Sequence, residues 1–196
     1  MTEAGQMLRL MVATVQDPPQ VARGMFGLGL PRSVLWPALA LVVILSVLLV
    51  ALASIVLPPV PRTESTIMLT PMSYTLILAG LLTISVFALN GAAQMLGGHG
   101  RFEDSLLTVI WVTAIQVVAQ AIQIVLTLAA PFLSVVFLTA TLVVSLWVLV
   151  HFINEAHKFN SLGRAFMTIV VSVIGVIVGS TMLLSLISAI AGRGVF

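Results

Sequence analysis

Cysteine is absent from the 196 residues, and charge is almost so: Asp, Glu, Lys and Arg together make up 7%. The first absence excludes disulfides, thiol catalysis and thiolate metal sites. The second leaves too little polar surface to coat a water-soluble globule, because 60% of the residues are hydrophobic and the mean hydropathy is +1.23. The eight basic residues stand singly along the chain. A net charge of +2 spread in this way makes no nucleic-acid patch. Missing too are a Gly-x-x-x-x-Gly-Lys phosphate loop, a Gly-x-Ser-x-Gly nucleophile turn and any carboxylate pair inside an apolar run. With no catalytic motif and no cofactor motif, the chain reads as a non-enzymatic integral membrane protein.

What is present is long apolar sequence. A spanning helix needs about 20 apolar residues at about 1.5 Å each. Five segments meet that requirement: Val34 to Leu57, Met72 to Leu96, Leu106 to Leu128, Phe132 to Ile153 and Ala165 to Ala191. None of them holds Asp, Glu, Lys or Arg. The fold class is therefore all-α, with residues 34–196 forming a five-span membrane domain of one span plus two helical hairpins. Pro58, Pro59 and Pro61 stop the first span, Gly97, Gly98 and Gly100 the second, and Ala129 to Pro131 leave only a tight turn between the third and fourth. Asp104 or Ser105 is the expected N-cap of the third, and Asn154 to Arg164 a polar link before the fifth.

Arg9, Arg23, Arg32, Arg101, Lys158 and Arg164 flank one side of the spans, and Arg62 and Arg193 the other. Six against two places the N-terminus in the cytoplasm and the C-terminus outside. Ala51-Leu52-Ala53 resembles a signal-peptide cleavage site, but the region before the first span is too long for a secretory signal. Within residues 1–33, Met7, Leu8, Met11, Val12 and Val15 recur at helical spacing, which suits a helix in the membrane interface; a frayed tail is the plain alternative. Asp17-Pro18-Pro19 reads as the cap and first turn of a second short helix ending near Gly27.

The two turns on the basic side look alike. His99, Phe102, Ser105 and Leu106 correspond to His157, Phe159, Ser161 and Leu162, and Pro71 and Pro131 open the two hairpins. This suggests a parallel duplication of a hairpin unit. The Gly97-Gly98-x-Gly100-x-Phe102 turn and the Glu155-Ala156-His157 link leading to Arg164-Ala165, with five spans around them, resemble the Yip-type membrane proteins, the Ypt/Rab-interacting family, in its short bacterial branch. The resemblance implies the five-span fold, a non-catalytic role as adaptor, assembly factor or accessory subunit, and, for a bacterial member, an inner-membrane location. The Asp-Leu-Tyr-Gly-Pro motif of eukaryotic members is absent, so small-GTPase binding is not carried over. The expected partners are membrane lipids and other membrane proteins or further copies of the chain.

Two groups of residues could carry a function. Thr113, Gln116, Gln120, Gln123 and Thr127 recur at spacings of 3, 4, 3 and 4, one stripe within roughly 80° of the third span. An unpaired amide in hydrocarbon costs on the order of 4 kcal/mol, so the stripe must face protein or water. It either bonds to hydroxyls and amides of neighbouring helices or lines a route for a small polar solute or lipid headgroup, which is the alternative function. His99, His151 and His157 collect with Glu155 on the basic side, where they form a solvated rim or a weak metal site. Ser172, Gly175 and Gly179 form a small-residue face of the fifth span that packs within the chain or against a partner.

Overall fold

The computed structural model describes residues 3–57 and 70–191. Pro58, Pro59, Pro61, Arg62 and Arg193 lie outside the described residues. Two short helices, α1 (Glu3–Gln16) and α2 (Pro18–Gly27), precede five long ones: α3 (Arg32–Val56), α4 (Pro71–Met95), α5 (Phe102–Ala129), α6 (Pro131–His157) and α7 (Leu162–Ala191). All five long helices have the length and composition to cross a membrane. The molecule is an all-α integral membrane protein with multiple spans.

Local chemistry sets the helix ends. Asp17 caps α2 by accepting from the Gln20 amide at 3.1 Å, with prolines in the first turn where their missing N–H is harmless. Thr70 caps α4 in the same way, through Ser73. Gly97, at φ +82, supplies the left-handed step that ends α4. α5 starts earlier than its apolar run: Arg101 is the cap residue, and Asp104 sits in the first turn, accepting from the Arg101 amide at 3.2 Å. The reason is that a carboxylate three residues inside a helix can reach back to the cap amide, so Asp104 serves the helix start without being its cap. α6 also runs longer than expected, to His157, so the link to α7 shrinks to residues 158–161. Asn154 lets this happen by accepting, through Oδ1, from the Ser161 amide at 3.0 Å.

α4 pairs chiefly with α7 and α5 with α6, while α3 lies against α5 and α4. Exchanging α4 with α6 and α5 with α7 maps the first pairing onto the second, the arrangement a duplicated hairpin gives. Pro71 and Pro131 open α4 and α6, Phe102 and Leu162 open α5 and α7, and each pair is 60 residues apart. The turns do not superpose as their sequences suggest, because His157 is the last residue of α6 whereas His99 lies beyond the end of α4.

The core is not spread evenly along the spans. Arg23, Arg32, Arg101, Lys158 and Arg164 mark one end, called here the basic end, where the α4–α5 and α6–α7 turns lie. Leu35, Leu39, Val42 and Val43 on α3, Val86, Leu89, Ala92 and Ala93 on α4, Leu106 to Trp111 on α5, Val148 to Ala156 on α6 and Ala165 on α7 supply most of the buried apolar side chains. All fall in the half of each helix nearer the basic end. In the opposite half Val125, Val135 and Leu142 are exposed, as befits surfaces that lipid covers.

Candidate functional site at the basic end

The structure uses the glycine turn as a lid over a histidine. His157 is fully buried, and its ring stacks at an angle on Phe159 with centroids 5.8 Å apart. Its Nε2 lies 3.0 Å from Ser105 Oγ, which lies 3.5 Å from Asn90 Oδ1. A serine hydroxyl that donates to the asparagine oxygen accepts from a protonated Nε2. Nδ1 is then a bare acceptor, and it has no hydrogen-bond partner. A β-carbon at Gly98 would stand 2.9 Å from His157 Cβ, and one at Gly100 2.5 Å from Nδ1 and 2.5 Å from the Ala156 oxygen. The glycines are there because the chain crosses the ring at a distance no side chain permits. The His99 amide donates to the His157 oxygen at 3.1 Å, which fastens the first turn to the second.

Around this knot, arginines tie the short N-terminal segments down. Arg32 Nε donates to Glu103 Oε1 at 2.9 Å, and its guanidinium lies 4.9 Å from the centre of the Phe102 ring. Phe102 also meets Trp36 and Phe87, joining α3, α4 and α5. Arg23 on α2 donates to Glu155 on α6 at 3.0 Å. Arg101 lies 3.6 Å from Glu103. Each of the four carboxylates whose side chains are described, Asp17, Glu103, Asp104 and Glu155, has an intramolecular donor. α1 is pinned where Trp111 Nε1 donates to the buried Thr14 hydroxyl at 3.1 Å, and Thr14 in turn donates to the Leu10 carbonyl. Beside it α1, α5 and α6 border an open cavity of about 340 Å³ lined mostly by apolar side chains such as Met11, Ile115 and Val144.

The three histidines and Glu155 are thus drawn apart. His99 is exposed, His157 is buried under the turn, and Glu155 holds Arg23. His151 points its Nδ1 at the Trp147 carbonyl, 2.8 Å away, with its ring 4.0 Å from the indole. No three His, Asp or Glu residues come together as metal ligands among the described residues.

The polar stripe is divided by the structure. Thr113 is buried and donates to its own helix at the Val109 carbonyl, as Thr127 does to the Gln123 carbonyl. Gln123 Nε2 donates to the Ser134 oxygen of α6 at 3.1 Å, while its Oε1 is buried without a partner. Gln116 is exposed and Gln120 half-buried. Of the hydroxyls on the other spans, Ser85 bonds to the Leu81 carbonyl of its own helix and Thr139 to that of Val135. On α7, Ser172 is buried, and β-carbons at Gly175 and Gly179 would meet Ala88 and Ile84 of α4 at 3.8 and 3.9 Å, ordinary contact.

Several of these contacts carry no sequence signature. Thr14 with Trp111 and Asn90 with Ser105 are pairs of common residues far apart in the chain; the glycines at 97, 98 and 100 are the one signal that a close approach leaves in the sequence. No curated protein and no solved structure matches the chain. The Yip1 domain matches residues 12–184, from the middle of α1 to the last turns of α7, taking in both turns of the basic-end knot. The chain belongs to the Yip1 domain family.

Proposed function

We propose that the protein acts without catalysis, as an adaptor, assembly factor or accessory subunit for other proteins in the membrane, with the basic end in the cytoplasm. The observation that carries this reading is the condition of the basic end: its carboxylates are engaged by arginines or backbone amides, and its one fully buried histidine is covered by backbone. Such groups hold a shape and offer no acid, base or nucleophile to a substrate. Membership of the Yip1 family supports the same reading. The knot fixes α2 and both turns as one rigid surface, while the long apolar faces beyond it stay open to a neighbour.

The test is crosslinking in intact membranes through single cysteines placed on the exposed faces of α6 and α7, followed by purification in mild detergent. A complex of fixed stoichiometry is the expected product. Recovery of the monomer alone at every position tested would sink the proposal.

A further inference from the structure

Ser105, Gln116 and Gln123 share a face of α5: eleven residues advance a helix by about 20° beyond whole turns, and eighteen bring it back to the same direction. At the basic end this face is shut. Ser105 is 1% exposed and lies between Asn90 of α4 and His157 of α6. Three turns further along, Gln116 is exposed. The row of α6 that starts at His157 behaves alike, passing from Ile153 at 1% through Leu146 at 43% to Val143 at 65%. So does the row of α4 that starts at Asn90, from Val86 at 0% to Leu76 at 65%. The three helices therefore form a seam, closed at the basic end and open beside Gln116 and Gln120 on its α5 wall, while further along Gln123 bonds to α6.

Of these amides only Gln123 has a hydrogen-bond partner among the described residues. Gln116 lies about 21 Å along α5 from Phe102, near mid-membrane, and Thr127 stands close to the far end of the helix, so the polar line runs unbroken from the far interface to the middle. Hydrocarbon is a poor neighbour for such a line. The closed end rules out a through-passage. No charged residue occurs in any of the four helices between residues 71–95, 106–153 and 165–182. A charged guest would find no counter-charge, whereas an amide both donates to and accepts from a hydroxyl.

We propose that the open half of the seam is a hydrated recess, entered from the end opposite the basic turns, that receives an uncharged hydroxyl-bearing group. That group is carried by a free polyol or by a lipid headgroup. The recess binds its guest and does not conduct it.

The natural chain has no cysteine, so every introduced thiol is the sole one. The full-length protein is reconstituted in phosphatidylcholine vesicles with Q116C, Q120C or Q123C and treated with a membrane-impermeant thiosulfonate, which reacts with the thiolate and so needs water. V125C, on the opposite face of α5 and exposed, and S105C, on the same face at the closed end, are the comparisons. Labelling of Q116C and Q120C at least tenfold faster than both is expected. Equal rates at Q116C, Q120C and V125C would overturn the recess, because the seam would then be filled by acyl chains or a second copy of the chain. Should Q116C elute as aggregate, Q120C alone decides the point. The rate at the faster position is then measured with glycerol, relative to free cysteine in the same buffer, and again in vesicles containing a monoglucosyl diacylglycerol. Severalfold slowing by glycerol assigns a solute, slowing by the glycolipid alone assigns a headgroup, and slowing by neither overturns the assignment of the guest.

Discussion

Gly100→Ala puts the most weight on the knot between the two turns. A β-carbon at this position would stand 2.5 Å from the carbonyl oxygen of Ala156, 2.5 Å from Nδ1 of His157 and 2.9 Å from its Cε1. Non-bonded heavy atoms settle at roughly 3.5 Å, so the neighbours must retreat by about 1 Å. Neither can do so easily. One is a backbone atom in the last turn of α6, and the other belongs to a ring that is fully buried and packed on Phe159. Overpacking of this kind destabilises by about 1–3 kcal/mol, and with both neighbours held the upper figure applies. For a chain of this size about 3 kcal/mol corresponds to a fall of about 6–12 °C in Tm. Gly91→Ala is the matched control: position 91 lies inside α4 with nothing within 4 Å of the added carbon. There the substitution gains about 0.5–1 kcal/mol from helix propensity. Thermal unfolding of the purified protein in detergent, followed by tryptophan fluorescence, reads both. A Gly100→Ala protein that melts with or above the Gly91→Ala protein would refute the packing of the turn on His157.

Thr14→Val leaves the Trp111 indole N–H buried without an acceptor and should lower stability by about 1–3 kcal/mol, whereas the double variant with Trp111→Phe should lose much less than the two single losses combined; melting curves of the four proteins decide this. Gln123→Leu removes the bond to the Ser134 oxygen together with a buried, unpartnered Oε1, so the stability change should stay within about 1 kcal/mol; a loss twice that size would reveal a partner for the oxygen. Arg23→Ala breaks a pair whose arginine side chain is 62% exposed, so stability should fall by less than about 1 kcal/mol, and the loss should shrink at high salt, as a denaturation series at low and high salt would show.

The spans were legible because hydrophobic length is a local property, and so were the caps that use one short polar side chain, such as Asp17. The start of α5 is hidden from local pattern because the apolar run begins at Leu106, while the helix is held from Arg101 by a backward reach from Asp104. His157 is the clearest case of what local pattern hides. By composition it belongs to a charged rim, and by structure it is the most enclosed polar residue of that rim. Its burial depends on Ser105, 52 residues earlier, and on a turn from another hairpin. The stripe on α5 was visible as a periodicity, but whether its amides meet other helices depends on how far α4 and α6 stand away, and no spacing within α5 encodes that.

That separation is possible only because the solvent is a bilayer. In water, helices whose apolar faces diverge over half their length would expose surface worth about 25 cal/mol per Å² and would close up. Lipid tails are as apolar as leucine, so outward-facing side chains such as Val125, Val135 and Leu142 lose little by facing them. Packing along the whole span is then unnecessary, and the fold can rest on the basic end alone, where water is near and ion pairs, caps and the covered histidine supply direction. Three amides do not share this indifference to lipid. Gln116, Gln120 and Gln123 make the open half costly unless something polar enters it, so the same three side chains that the fold could do without are the ones that give the seam its chemical selectivity.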